Sequence, residues 1–239
     1  MAMTPNEMSA FFAERASKSV SAIDSLKVQN VPLLLDLNFR QAAQNYLMSA
    51  LVDWRHRLAN PRHKLVNAFD ACKTAIELLP GLDSPTPLAT RFRFYDTVYL
   101  ATLIDIDPPQ SCSRIFQSCR ADAGIDLALD YSLAEQLLGT GAILPTIEGR
   151  TFSNEQALLR KTFVTYAAIL DGNKGKIGTA ESNFAERGSD SYYSGGLQID
   201  GGGPDNSSVI DYRLAAILKA TGSEMDTIHA MPSTGRTMR

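Results

Sequence analysis

Between Phe39 and Leu58 the large apolar residues recur only at steps of three and four. Phe39, Ala43, Tyr46, Leu47, Ala50, Leu51, Trp54 and Leu58 line one stripe of an α-helix. They make no stripe on a strand, whose faces alternate with a period of two. An isolated amphipathic helix is marginal in water and is stabilised by burying its stripe against other elements. This one feature therefore commits the chain to helix packing. Pro61 is the stop signal for the stripe. The next segment, "HKLVNAFDACKTAIELLPG", puts Leu65, Phe69, Cys72, Ile76 and Leu79 on one face and breaks at Pro80-Gly81. Only "ANPR" separates the two patterns, so they are expected to be antiparallel neighbours.

The same period continues downstream. A helix is expected from near Pro87, with Leu88, Phe92, Tyr95, Tyr99 and Leu103 as its stripe, ending at Pro108-Pro109. "SCSRIFQSCRADAG" is a short helix closed by Gly124. In "IDLALDYSLAEQLLGTG", Ile125, Leu127 and Leu129 alternate like a strand, whereas Leu133, Leu137 and Leu138 keep helical spacing. Helix is preferred there, because no nearby segment offers a pairing strand. Ser153 and Gln156 form a capping box before Leu159, Phe163, Tyr166, Ala167 and Leu170, and Gly172 is placed to close that helix. "KIGTAESNFAERG" presents Ile177, Ala180 and Phe184. A last helix is expected over about 208–220, with Asn206, Ser207 and Ser208 as cap residues and Ser208-x-x-Asp211 as a capping-box variant.

The expectation is thus an all-α protein of about nine mostly antiparallel helices. Residues 1–225 are drawn as one domain and 226–239 as a polar tail. Antiparallel pairs stacked in series suit the short loops, although no fixed repeat period is visible.

Charge and cysteine content narrow the function classes. Lys and Arg total 23 against 26 Asp and Glu, a formal charge of −3. Non-specific nucleic-acid binding needs clustered cations, so a nucleic-acid partner is not expected. No apolar run approaches the roughly 20 residues of a membrane span, and the first residues lack a basic start and apolar core. With Cys72, Cys112 and Cys119 too few and odd in number for a disulfide framework, a cytoplasmic setting is expected. Two thiols seven residues apart, Cys112 and Cys119, do not make a closed zinc site.

Most chemical motifs fail on spacing. "SYYSGGLQIDGGGPDNSS" is rich in glycine but has no lysine and no preceding strand, both of which a phosphate-binding loop requires. "GNKGKIGT" is mis-spaced and follows a helix. His56 and His63 sit among Arg55, Arg57, Arg62 and Lys64, where neighbouring cations oppose protonation, and His229 lies in the tail. Asp105 and Asp107 could face a cation, as could Asp200, Asp205 and Asn206, but the latter set lacks a glutamate closing position 12 of a calcium loop. No cofactor and no metal is implied. The residues that fit contact best are Tyr192 and Tyr193, with Asp190, Asp200 and Asp205 around them. Tyrosine supplies contact area at low entropic cost, and carboxylates set charge complementarity.

The run "FVTYAAILDGNKGKI", then "AERGSDSYYSGG", then "DYRLAAILKA" resembles the C-terminal part of helical immunity proteins of bacterial polymorphic-toxin systems. The likeness covers about a third of the chain and rests on helix order and acidic-aromatic loops. It implies a protein partner, a cognate toxin, neutralised by occlusion, with Tyr192, Tyr193, Asp190, Asp200 and Asp205 as contacts and no catalytic residue. Two other readings stand beside it. One is a helical enzyme or small-molecule binder with an interhelical pocket holding Arg91 and Arg93 or Asp105 and Asp107. The other is a phage or virion structural protein.

Overall fold

The structure is a computed structural model that describes residues 3–29, 32–78, 94–122, 125–139, 154–187 and 210–224. Among these residues there are nine α-helices, one 3-10 turn and no strand, so the protein is all-α. None of the described helices is long and apolar enough to cross a membrane. The helices fall into two compact units, α1–α3 and α4–α9.

The first unit is built on two helices of 25 residues each, α1 (Pro5–Gln29) and α2 (Pro32–His56), followed by the 17-residue α3 (Arg62–Leu78). At 1.5 Å per residue the long pair each span about 37 Å. A reciprocal capping box starts α1. The Thr4 backbone N–H donates to Glu7 Oε2 at 2.8 Å, and the Glu7 N–H donates to Thr4 Oγ1 at 3.3 Å. Pro5 occupies the first turn, where its missing N–H has no partner to lose. The Thr4 contacts hold the Glu7 carboxyl below its ordinary value.

The apolar stripe of α2 lies where the spacing puts it. Phe39, Ala43, Leu47, Ala50, Leu51 and Trp54 are buried, and Tyr46 is half-buried. Its end differs from expectation. The helix stops at His56, five residues before Pro61, and Leu58 lies exposed in the turn. Arg57 takes a left-handed conformation (φ 52°), and the Leu58 N–H reaches back to Asp53 O at 3.0 Å. Pro61 instead opens α3. Asn60 caps that helix by accepting the Arg62 N–H at 2.9 Å, so the proline sits in a first turn that tolerates it. Leu65, Phe69, Cys72 and Ile76 of α3 are buried. α2 packs along both of its neighbours. Small side chains on all three helices (Ala16, Ala42, Ala50, Ala68 and Ala75) are buried and permit close approach.

The second unit comprises α4 (Asp96–Ile104), α5 (Cys112–Asp122), α6 (Ile125–Leu137), α7 (Asn154–Leu170), the 3-10 turn Lys174–Lys176, α8 (Ile177–Arg187) and α9 (Tyr212–Ala220). Segment 125–137 is helical, as preferred over a strand. Consecutive helices from α5 to α8 pack on one another, and α9 returns to α4 and α7. α4 is buried over almost its whole circumference, Thr102 being the part-exposed exception. Gly172, at φ 94°, closes α7 as expected. Its N–H bonds to Ile169 O and the Asn173 N–H to Ala168 O, each at 2.9 Å, the paired bonds of a glycine-terminated helix.

The start of α9 is a correction. Ile210 and Asp211 are not helical, and the cap is Asp211 itself, which accepts the Leu214 N–H at 3.0 Å. Asp211 was expected to be the reciprocal member of a box begun at Ser208. The first turn carries Tyr212 and Arg213, whose side chains are held in the interior, and this sets where the helix begins.

Candidate binding groove

Asp190, Tyr192, Tyr193, Asp200 and Asp205, singled out as contact residues, lie outside the described residues, as do Arg91, Arg93 and His229. Asp105 and Asp107 are exposed. Asp105 ends α4 at φ 58° and holds Lys219 Nζ at 2.7 Å, while the same ammonium donates to Leu103 O at 2.8 Å. This arrangement caps a helix C-terminus with a cation. His56 and His63 are exposed around the α2–α3 turn. The buried Cys112 thiol is pushed up to about 12 by desolvation, which makes it a packing group rather than a nucleophile.

Two buried polar clusters occupy the units. In the first, α1, α2 and α3 meet around Asp53. Its carboxylate accepts from Ser9 Oγ and from Lys64 Nζ, each at 2.5 Å. Lys64 also donates to Ser9 Oγ at 2.9 Å, and Ser49 Oγ donates to the Ser9 carbonyl at 2.8 Å. The serine–lysine contact has the spacing of a nucleophile and a base. Here, however, the lysine donates to the serine oxygen while the serine hydroxyl donates to Asp53, so the serine proton is directed at the carboxylate and not at the amine. The cluster ties three helix ends together.

In the second unit, the Arg213 guanidinium lies 5.1 Å from the Tyr212 ring centroid, 5.6 Å from Tyr95 and 6.0 Å from Tyr99. Its Nε is 2.9 Å from Asp130 Oδ1, a charge contact lacking hydrogen-bond alignment. Tyr212 donates to Asp96 Oδ1 at 2.6 Å, and Tyr166 donates to Asp211. Edge-on ring contacts then continue from Tyr95 to Tyr131, with centroids 5.2 Å apart. The Tyr99 hydroxyl is buried with no hydrogen-bond partner among the described residues. Burial raises its pKa first, with the Asp130 charge adding to it. The arginine is enclosed by rings and a carboxylate, so the cluster joins α4, α6 and α9 rather than presenting a cation to a ligand.

An accessible concave surface belongs to the first unit. A groove of about 290 Å³ is walled by four residues of α1 (Val20, Ile23, Asp24, Lys27), three of α2 (Phe39, Ala42, Tyr46) and four of α3 (Asn67, Asp70, Ala71, Thr74). On each helix the positions are spaced by three, four or seven, so every wall is a stripe about two turns long. Ile23, Phe39, Ala42 and Ala71 are buried and make an apolar floor. Val20 is 39% exposed on the α1 wall, and the Lys27 ammonium sits 6.0 Å from the Phe39 ring centroid. Asp24 on α1 and Asp70 on α3 are exposed and have no ion-pair partner among the described residues. An apolar floor under a charged rim can take an apolar side chain and orient it by charge. The sequence signal was present in the stripes 20/23/24/27 and 67/70/71/74, but five of those eight residues are polar, the composition of a solvated face.

No protein-family model, no curated protein and no solved structure matches the chain.

Proposed function

We propose that this chain is a protein-binding module and that the α1–α2–α3 groove receives an apolar segment of its partner. The observation that carries the reading is the groove, with Ile23, Phe39, Ala42 and Ala71 beneath an exposed rim. Packing an anchor side chain into such a floor is how a few residues come to supply most of an interface's affinity. The resemblance of segments 163–177, 185–196 and 211–220 to helical immunity proteins makes the partner a cognate bacterial toxin. The toxin's functional site is then covered in the cytoplasm of the producing cell. Tyr192 and Tyr193, with Asp190, Asp200 and Asp205, are the second contact under this reading.

The test is calorimetric titration of the full chain with the toxin encoded beside its gene. Val20→Lys removes an apolar wall and leaves the core intact. It is expected to weaken binding by about tenfold, the value of a modest interface anchor, with an unchanged melting temperature. Tyr192→Ala with Tyr193→Ala is expected to weaken binding separately. Unchanged affinity in Val20→Lys removes the groove from the interface, and absence of any interaction with the toxin removes the immunity reading.

A further inference from the structure

We infer that the segment seated in the groove is a basic amphipathic helix, with two neighbouring apolar side chains flanked by lysine or arginine. This rests on the reading of the groove as a protein-binding site. It is drawn from the shape of the walls and the charge on the rim.

The shape comes first. All three walls are helix faces, and each presents residues at helical spacing over about two turns, near 10 Å of axis. α1 and α3 both lie along α2 but pack far less on each other, which leaves the trough above α2 open. A fourth helix laid there meets ridges of the spacing it carries itself, as in four-helix packing. An extended strand has no exposed sheet edge to pair with among the described residues, since they contain no strand. The groove volume of about 290 Å³ is near twice that of an apolar cavity of about 150 Å³ that holds one benzene. Two leucine-sized side chains therefore fill it, and adjacent positions i and i+3 or i+4 of one helix deliver two.

The rim then sets the charge. Asp24 and Asp70 stand on the two outer helices, both exposed and both without an ion-pair partner among the described residues. The one cation in the lining, Lys27, is occupied above the Phe39 ring. A helix whose apolar pair is flanked by cations on both sides meets a carboxylate from each wall. One flanked by carboxylates meets like charge twice.

The probe is a fluorescein-labelled helical peptide of about 16 residues carrying Leu at i and i+4, with Lys on both flanks. A second peptide has Glu in place of every flanking Lys, and a third has a photoreactive phenylalanine in place of one Leu. Anisotropy with the full chain is expected to show the Lys peptide binding at least tenfold more tightly than the Glu peptide at low salt. That preference should shrink in 1 M salt and in the Asp24→Asn, Asp70→Asn double variant. The third peptide is expected to cross-link to groove residues such as Val20 and Ala71. Equal binding of the Lys and Glu peptides, or no binding of either, overturns the assignment of a basic helix. So does a preference that survives in the double variant. Cross-links located only outside the groove overturn the groove itself.

Discussion

Replacing Lys64 by methionine should strand the Asp53 carboxylate, and the cost can be worked from the contacts around it. The Asp53 side chain is 3% exposed and that of Lys64 is 14% exposed. Loss of one partner of a buried ion pair typically costs about 3–5 kcal/mol, because the other charge stays desolvated. Asp53 keeps the hydrogen bond donated by Ser9 at 2.5 Å, which offsets part of this, so about 2–4 kcal/mol is expected. The opposite change, Asp53→Asn, preserves an acceptor for Ser9. It leaves an ammonium that still donates to Ser9 Oγ at 2.9 Å and can reach water, so about 1–2 kcal/mol is expected. The paired replacement Lys64→Met with Asp53→Leu removes both charges and should recover most of the loss.

The chain supplies its own reporter for this experiment. It has one tryptophan, Trp54, which is adjacent to Asp53 and buried. Its fluorescence follows the first unit, while far-UV ellipticity follows all helices together. Urea unfolding with a slope of about 2 kcal/mol per molar turns 2–4 kcal/mol into a midpoint shift of about 1–2 M for Lys64→Met. A Lys64→Met variant within about 0.5 kcal/mol of the parent would show that Asp53 is not dependent on its cation. An Asp53→Asn variant more damaging than Lys64→Met would reverse the asymmetry on which the reasoning rests.

Arg213→Leu should remove the guanidinium 2.9 Å from the buried Asp130 and lose three aromatic contacts; a loss of about 3–5 kcal/mol is expected in ellipticity-monitored urea unfolding, and a loss below 1 kcal/mol would contradict it. Arg57 sits at φ 52°, where a non-glycine residue is strained, so Arg57→Gly is expected to raise the Trp54-monitored midpoint by up to about 1 kcal/mol; a lower midpoint would refute the strain. Burial holds the Cys112 thiol at about 12 against an ordinary value of 9.0, so the folded state binds that proton more tightly. The resulting stability is complete below about pH 9 and is lost as pH rises toward 12, with a slope of at most about 1.4 kcal/mol per pH unit. Cys112→Ala should therefore flatten the fall of the urea midpoint between pH 9 and 10.5, and an unchanged slope would contradict the assignment.

Helix positions were legible wherever one side of a helix is apolar and the other is not. α2 and α3 declared themselves through Phe39 to Trp54 and Leu65 to Ile76. α1 was not drawn, although Thr4-Pro5-Asn6-Glu7 carries a complete start signal, with both bonds of the box formed. Its buried positions, among them Ser9, Phe12, Ala16, Ser19 and Ile23, keep the spacing of a stripe while including two serines, which weakens the apolar contrast. The reason is visible at one end: Ser9 is buried because it serves Asp53 and Lys64, residues 44 and 55 positions away. A polar residue in a stripe is uninterpretable until its partner is known.

The boundaries of α2 and α9 failed for a related reason. Pro61 and Ser208 are local signals, and local signals gave a plausible helix end and a plausible cap. The molecule instead ends α2 by a left-handed turn at Arg57 and starts α9 at Asp211, whose carboxylate also receives Tyr166 from another helix. Tertiary partners chose among locally acceptable alternatives. The groove is the extreme case. Asp24, Lys27, Asn67, Asp70 and Thr74 are what a solvated helix face contains, and nothing in either stripe reveals a concavity. The staple around Asp53 draws the N-terminal turns of α1 and α3 to the same end of α2. The groove lies on α1 some 14 residues, or about 20 Å, beyond Ser9, where the two outer helices leave a trough over Phe39 and Ala42. A concave site made by the separation of two helices depends on their mutual geometry, which neither helix encodes alone. Its lining mixes the apolar Val20, Ile23, Phe39, Ala42 and Ala71 with as many polar residues, and no one helix carries enough of the apolar ones to mark a site.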